Sequence, residues 1–341
     1  MQKFKLEKED FGILLPFVQD KMVTDINWNG NELLVTHLKK GKYVVKDIEI
    51  TIQFINWFTS KIANAVGVVF NPCTPVLEAE ANEMRFSILH ESVCETGRSL
   101  SIRKSLAEVR LNDEMMLEEK YCSQEILNFL KNCIRAKANI VIAGETGSGK
   151  TELLKYLTAF IPAMEKVFTI EDSLEIHYRQ INPGKDCVSV EVNDKYFNYV
   201  DAIKASLRQD VKWILLSEAR SVEVKELVQA MSTGHKCLTT LHTDHVKRIP
   251  ERMMNMCGDA LTASQIEKDV YDYVDVGILL KKKILHNNSE VRYIDQVACY
   301  SNDKGKTVQM LVDQGELISQ ELPDKLRIRF QNNAFEWKEE V

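Results

Sequence analysis

The stretch Asn139–Pro162, NIVIAGETGSGKTELLKYLTAFIP, decides how the rest of the chain is read. Asn139, Ile140, Val141, Ile142 and Ala143 make a short apolar strand. Leu153, Leu154, Leu157, Phe160 and Ile161 then recur at helical spacing, and Pro162 stops the run. Between the two lies Gly144–Thr151, GETGSGKT, which fits G-x-x-x-x-G-K-[ST] at every position. The residue types suit phosphate. Gly144, Gly147 and Gly149 lack a Cβ, so the loop can curl and turn its N–H groups, those of Glu145, Thr146 and Ser148 among them, inward. Those amides and the helix N-terminus form an anion nest. Lys150 is expected to reach the β- and γ-phosphates of a nucleoside triphosphate, with the Thr151 hydroxyl on Mg²⁺. By itself the loop has a plainer alternative, a Gly/Ser turn between a strand and a helix.

Outward from the loop, KVFTI (166–170), KWILL (212–216) and KCLTTL (236–241) read as further strands, with helical stretches at 199–207 and 222–231. Strands alternating with helices predict a largely parallel α/β layer whose phosphate site lies at the carboxyl ends of the strands. The N-terminal third differs. Residues 23–46, VTDINWNGNELLVTHLKKGKYVVK, alternate apolar and polar side chains around Asn29-Gly30 and Lys40-Gly41, as in a strand meander. Ile52, Ile55, Phe58, Ile62 and Val66 mark an amphipathic helix, and MRFSILHE (84–91) and RSLSIRKS (98–105) two more strands. Residues 1–105 are therefore expected as a small α+β domain. The charged, β-poor stretch 106–123 is expected as a helical connector, and 124–341 as the nucleotide domain with a frayed tail at 332–341.

The 341 residues carry a formal charge of −6, which argues against a large nucleic-acid surface. No apolar run approaches the roughly 18 residues of a membrane span. The charged start, MQKFKLEKEDFG, does not suit a signal peptide. None of the eight cysteines forms a C-x-x-C pair, so they are expected as reduced thiols in a cytoplasmic protein without a zinc site.

Four segments beyond the loop carry candidate chemistry. VFTIEDSLEIHY (167–178) places Glu171, Asp172 and Glu175 after a strand, where carboxylates can organise metal and water. SLRQDVKWILLSEAR (206–220) ends a strand in Ser217-Glu218, the place of an acid that activates water. MSTGHKCLTTLHTDH (231–245) carries His235 before a strand and His242 after it. MRFSILHESVCETGRSLSIRK (84–104) holds Arg85, Arg98 and Arg103; a solvated strand face is the alternative for these. Met253, Met254 and Met256 read as packing residues.

In these segments the chain resembles the secretion-superfamily ATPases, the traffic motors of type II and type IV secretion, pilus assembly and conjugation. Gly144–Thr151 matches their loop, Thr169–Glu175 their Asp box, Leu207–Arg220 their Walker B segment and Thr233–His242 their His box. VTDINWNG, FINWFTSKIA and RSLSIRK are similar to the conjugation and tight-adherence pilus branch. Ser217, Ser221 and Ser232 depart from the residues common in that family. The resemblance implies a RecA-like P-loop ATPase domain preceded by a smaller α+β domain, with Mg·ATP held in the cleft between them. It implies catalytic roles for Glu218, Glu171, His242, Arg98 and Arg103, and nucleotide contacts from Arg85, Asp172 and His235. It further implies a hexameric ring docked on membrane-embedded secretion or pilus proteins. Two other functions stay open on the residues alone: a DNA-translocating motor, and a nucleotide-gated scaffold with little turnover.

Overall fold

The computed structural model describes residues 4–193, 195–258, 260–285 and 290–333. The chain divides into two compact units: one runs to Leu106 and includes Lys283–Glu290, and the other takes Ala107–Lys282 and the chain from Val291 onward. Among the described residues no helix is long and apolar enough to cross a membrane.

The first unit is an antiparallel sheet of β1 (Val23–Trp28), β2 (Leu33–His37), β3 (Gly41–Val45), β4 (Val76–Ala81), β5 (Met84–Leu89) and β6 (Ser99–Lys104), in the order β3-β2-β1-β6-β5-β4. A short helix α1 (Leu15–Gln19) precedes it, and α2 (Ile52–Val66) packs on it. Thr51 caps α2 by accepting from the Phe54 amide, and Gly67 ends it in the left-handed region at φ 68°. Ile55, Phe58, Ile62 and Val66 are buried as their spacing predicts, whereas Ile52 stays exposed in the first turn. Strand β4 has no strong sequence signal, because after Val76 and Leu77 it is built from Glu and Ala, weak strand formers. Its alternation nonetheless buries Leu77, Ala79 and Ala81 on one face.

The second unit opens with α3 (Asp113–Glu118), α4 (Gln124–Arg135), β7 (Ile140–Gly144), α5 (Lys150–Thr158), β8 (Val167–Glu171), α6 (Tyr178–Ile181), β9 (Cys187–Glu191) and α7 (Tyr199–Ser206). It continues with β10 (Trp213–Leu216), α8 (Glu223–Ser232), β11 (Lys236–Leu241), α9 (Ile249–Asn255), α10 (Ala260–Tyr273), β12 (Val276–Ile284), β13 (Glu290–Ser301), β14 (Thr307–Asp313), β15 (Glu316–Leu317) and α11 (Asp324–Asn332). The sheet order is β15-β14-β13-β12-β7-β11-β10-β8-β9, and the six strands from β12 to β9 run parallel. On β7, Ile140 and Ile142 enter one core cluster while Val141 and Ala143 enter another, so both faces of the sheet are covered. That is why these strands read as continuous apolar runs. The antiparallel extension through β14 and β15 was not expected from the sequence.

Two expectations change in detail. Within 106–123, Asp113–Glu118 is the helical part, and Leu111, Met116, Tyr121 and Cys122 are buried in the second unit's core, so the stretch is packed rather than a free connector. Of the tail, Asn332 ends α11 and 334–341 lie outside the described residues. Met253 and Met256 are buried in the core, as packing residues.

Candidate functional site

Parallel strands bring their carboxyl ends to one edge of the sheet, and there the quoted segments of the second unit meet. The loop follows β7. A Cβ on Gly144 would fall 2.5 Å from Ser148 Oγ and 2.6 Å from the Leu280 carbonyl oxygen, so glycine is required by space. The Ser148 amide donates to the Glu145 carbonyl at 3.2 Å, closing a turn with Gly147 in third place at φ 77°. A type II turn demands that left-handed third residue. The Ser148 hydroxyl is buried without a hydrogen-bond partner, a condition that costs about 1–3 kcal/mol. Lys150 Nζ donates to the carbonyls of Gly144 (2.9 Å) and Glu145 (3.1 Å). Burial pulls its ammonium down to about 8, against the opposing pull of Glu218, Glu145 and Glu175.

From Lys150 a chain of contacts runs along the strand ends. Lys150 Nζ lies 3.4 Å from His242 Nδ1, and His242 Nε2 lies 3.2 Å from Glu218 Oε1. A neutral imidazole with its proton on Nε2 satisfies both contacts: Nδ1 accepts from the lysine and Nε2–H donates to the carboxylate. Glu218 Oε2 accepts from Arg220 Nη2 at 2.9 Å, and Arg220 Nη1 donates to Asp172 Oδ2 at 2.7 Å. The chain therefore joins the ends of β7, β11, β10 and β8. Arg220, which connects the two acids, was quoted in its segment but not expected as a site residue.

Glu171 is placed differently from expectation. It is 1% exposed, and its Oε2 accepts the backbone amides of Glu175 and Ile176, each at 2.8 Å. It shapes the turn after β8 instead of facing water. The carboxylate that reaches the loop is Glu175, whose Oε2 accepts from Thr151 Oγ1 at 3.5 Å. One hydroxyl and one carboxylate fit Mg²⁺, which takes one or two protein ligands beside phosphate oxygens and keeps its waters. His235 is a second correction. It precedes β11, and its Nδ1 contacts Thr233 Oγ1, whereas His242 follows the same strand. Six strand residues separate the two by about 20 Å. His235 thus sits at the opposite edge of the sheet from the loop and does not join this site.

Burial pushes the Glu171 carboxyl up to about 7 from 4.5. A raised folded value means that stability from this group is complete below pH 4.5 and is lost as pH rises through about 7, a change of order 3 kcal/mol. Gln keeps an acceptor for both amides without the charge. Glu171→Gln is therefore expected to match the wild type near pH 4.5 and to exceed it in urea resistance at pH 8, both without nucleotide. Parallel stability curves across that range would count against a buried, charge-intolerant Glu171.

In the first unit the three arginines do not share a face. Arg98 forks onto Glu91, with Nε–Oε2 at 2.7 Å and Nη2–Oε1 at 3.0 Å, donates to Thr59 Oγ1 on α2 at 2.7 Å, and stacks over Phe70 at 5.2 Å. It thus lies on the helix side of the sheet. Arg103 pairs across strands with Arg85, alternates with the buried Ile102 and Lys104, and donates to Asp25 Oδ1 at 3.0 Å from the other face. Arg85 Nη2 lies 3.9 Å from Glu78 Oε1. One face presenting all three arginines, to which the resemblance gave phosphate and catalytic roles, is not what the sheet provides.

The Type II/IV secretion system protein family matches residues 74–305. The chain belongs to that family. An uncharacterised protein of Bacillus anthracis is 31% identical over 303 residues, covering 85% of this chain and 68% of that protein. The type IV secretion system protein VirB11 of Bartonella quintana is 30% identical over 165 residues, 46% of this chain and 44% of VirB11. The alignment thus spans less than half the length of that named relative. Among solved structures, the Legionella pneumophila ATPase DotB superposes with a TM-score of 0.65 at 17% identity, covering 89% of this chain and 84% of DotB. At that identity the likeness shows the fold: an N-terminal domain followed by a RecA-like ATPase domain. The expected resemblance to type II and type IV secretion proteins and the expected fold class both hold.

Proposed function

We propose that the second unit binds Mg·ATP on Gly144–Thr151 and hydrolyses it, and that a ring of six chains uses the energy to drive assembly or transport by a secretion, pilus or conjugation apparatus. The ring would work in the cytoplasm, docked on membrane-embedded partner proteins. The observation that supports this most is the unbroken chain of contacts from Lys150 through His242 to Glu218 and Arg220. Lys150, now on the loop's own carbonyls, would move onto the β- and γ-phosphates. Thr151, with Glu175 beside it, would hold Mg²⁺, which when bound neutralises charge on those oxygens. Glu218 would orient and deprotonate the attacking water. Both its oxygens accept from donors, so loss of the His242 contact as Lys150 moves would make it the better base. His242 would then report at Glu218 whether the lysine is on phosphate. Asp172 and Arg220 would keep the carboxylate in place. Nucleic acid is not proposed as a direct ligand.

The lysine gives this proposal a pH signature. In the free protein Lys150 loses its charge above about 8. Bound phosphate holds the proton on, so binding takes up a proton above that pH, and affinity falls by up to about tenfold per further pH unit. Calorimetric titration with ATP at pH 7 and pH 9, in two buffers of different ionisation heat, reads the uptake directly. More uptake at pH 9 is expected; equal heats in both buffers at pH 9 would count against Lys150 as the phosphate partner.

A further inference from the structure

The acids and His242 lie on one side of the loop, after β11, β10 and β8, whereas β12 and β13 flank β7 on the other side. Strand β12 pairs Leu280 with Gly144 and then runs on past the end of β7. Two residues further, Lys282 Nζ lies 3.9 Å from where a Cβ on Gly147 would stand. From β13, Arg292 Nε donates to the Gly147 carbonyl at 2.9 Å, and its Cδ lies 3.3 Å from the Cβ position of Gly149. The arginine stem thus crosses the loop between two of its glycines. Neither residue belongs to a motif in the sequence.

A triphosphate seated on the loop has its γ end toward Glu218 and His242 if those groups act on it. The rest of the molecule must then leave the loop in the opposite direction along the sheet edge. That is the side carrying Lys282 and Arg292. We infer that Arg292 and Lys282 form a basic subsite for the α-phosphate and ribose end of the nucleotide, Arg292 also fixing the Gly147 peptide. Arg292 suits both tasks, because Nε holds the carbonyl and a guanidinium presents its donors in a rigid planar fork. Lys282 contributes a point charge. The inference rests on the proposed nucleotide site.

The test compares ATP and ADP binding, read with a fluorescent nucleotide analogue displaced by each, in the full chain and in Arg292→Ala, Arg292→Lys and Lys282→Ala. Both nucleotides carry the α-phosphate and ribose. Arg292→Ala and Lys282→Ala should therefore weaken ATP and ADP alike, by about tenfold for loss of one charged contact. Arg292→Lys should restore part of the loss. Amide exchange of the 144–151 peptide should quicken in Arg292→Ala with no nucleotide present, a readout independent of hydrolysis. Weakening of ATP alone would put these side chains at the γ end and overturn the inference, as would unchanged affinity in both alanine variants. Wild-type protein that binds neither nucleotide would sink the proposed site and the subsite with it.

Discussion

Lys150→Ala is expected to lower Mg·ATP hydrolysis by at least about two orders of magnitude, the usual effect of deleting one electrostatic stabiliser of a transition state. Its ammonium is buried among the loop carbonyls and His242, with no other cation among the described contacts of those atoms. Removing it takes away the charge that would offset the β/γ oxygens and also the donor that His242 Nδ1 accepts. Steady-state phosphate release checks the turnover, and a thermal melt checks that the variant folds. A folded Lys150→Ala protein with wild-type release would remove the loop from the mechanism.

Glu218→Gln should separate binding from chemistry. Gln has nearly the shape of Glu and keeps one acceptor oxygen, enough for Arg220 or for His242 but not for both, and it cannot take a proton. Nucleotide affinity should stay within a few-fold of wild type. Hydrolysis should fall by about 10²–10⁴-fold, the range for losing a general base. Equilibrium binding and single-turnover quench experiments on one preparation give both numbers. If affinity and rate fall together, Glu218 is a structural partner of Arg220 and His242, and Glu175 becomes the carboxylate to test as base.

The second unit was legible because its parallel strands are covered on both faces. Ile140–Ala143, Trp213–Leu216 and the apolar part of Lys236–Leu241 could not be mistaken for half-exposed strands. The loop was legible because its glycines and lysine answer to one task. Other features were present in the sequence and misread. Arg98 and Arg103 are five positions apart, an odd spacing along an extended chain, so opposite faces follow from strand geometry. His235 and His242 bracket one strand, so opposite ends follow from its length. That Glu171 accepts the turn amides while Glu175 contacts Thr151 was not readable. It depends on how the turn after β8 closes and which carboxylate its amides capture. Arg292 was hidden for another reason: it reaches the Gly147 carbonyl from an antiparallel strand 145 positions further along the chain.

The central claim is that this chain, as an oligomer, hydrolyses ATP with Glu218 as the essential carboxylate. Phosphate release with Mg·ATP, assayed across the fractions of a sizing column loaded with wild-type and then Glu218→Gln protein, tests it most directly. The account predicts Mg-dependent release that peaks with wild type in the fractions holding about six chain masses and is nearly absent there with Glu218→Gln. Wild-type protein that binds ATP yet releases no phosphate in any fraction would make the chain a nucleotide-gated scaffold. Equal release from both proteins would place the chemistry elsewhere, and either result would contradict the mechanism proposed for this site.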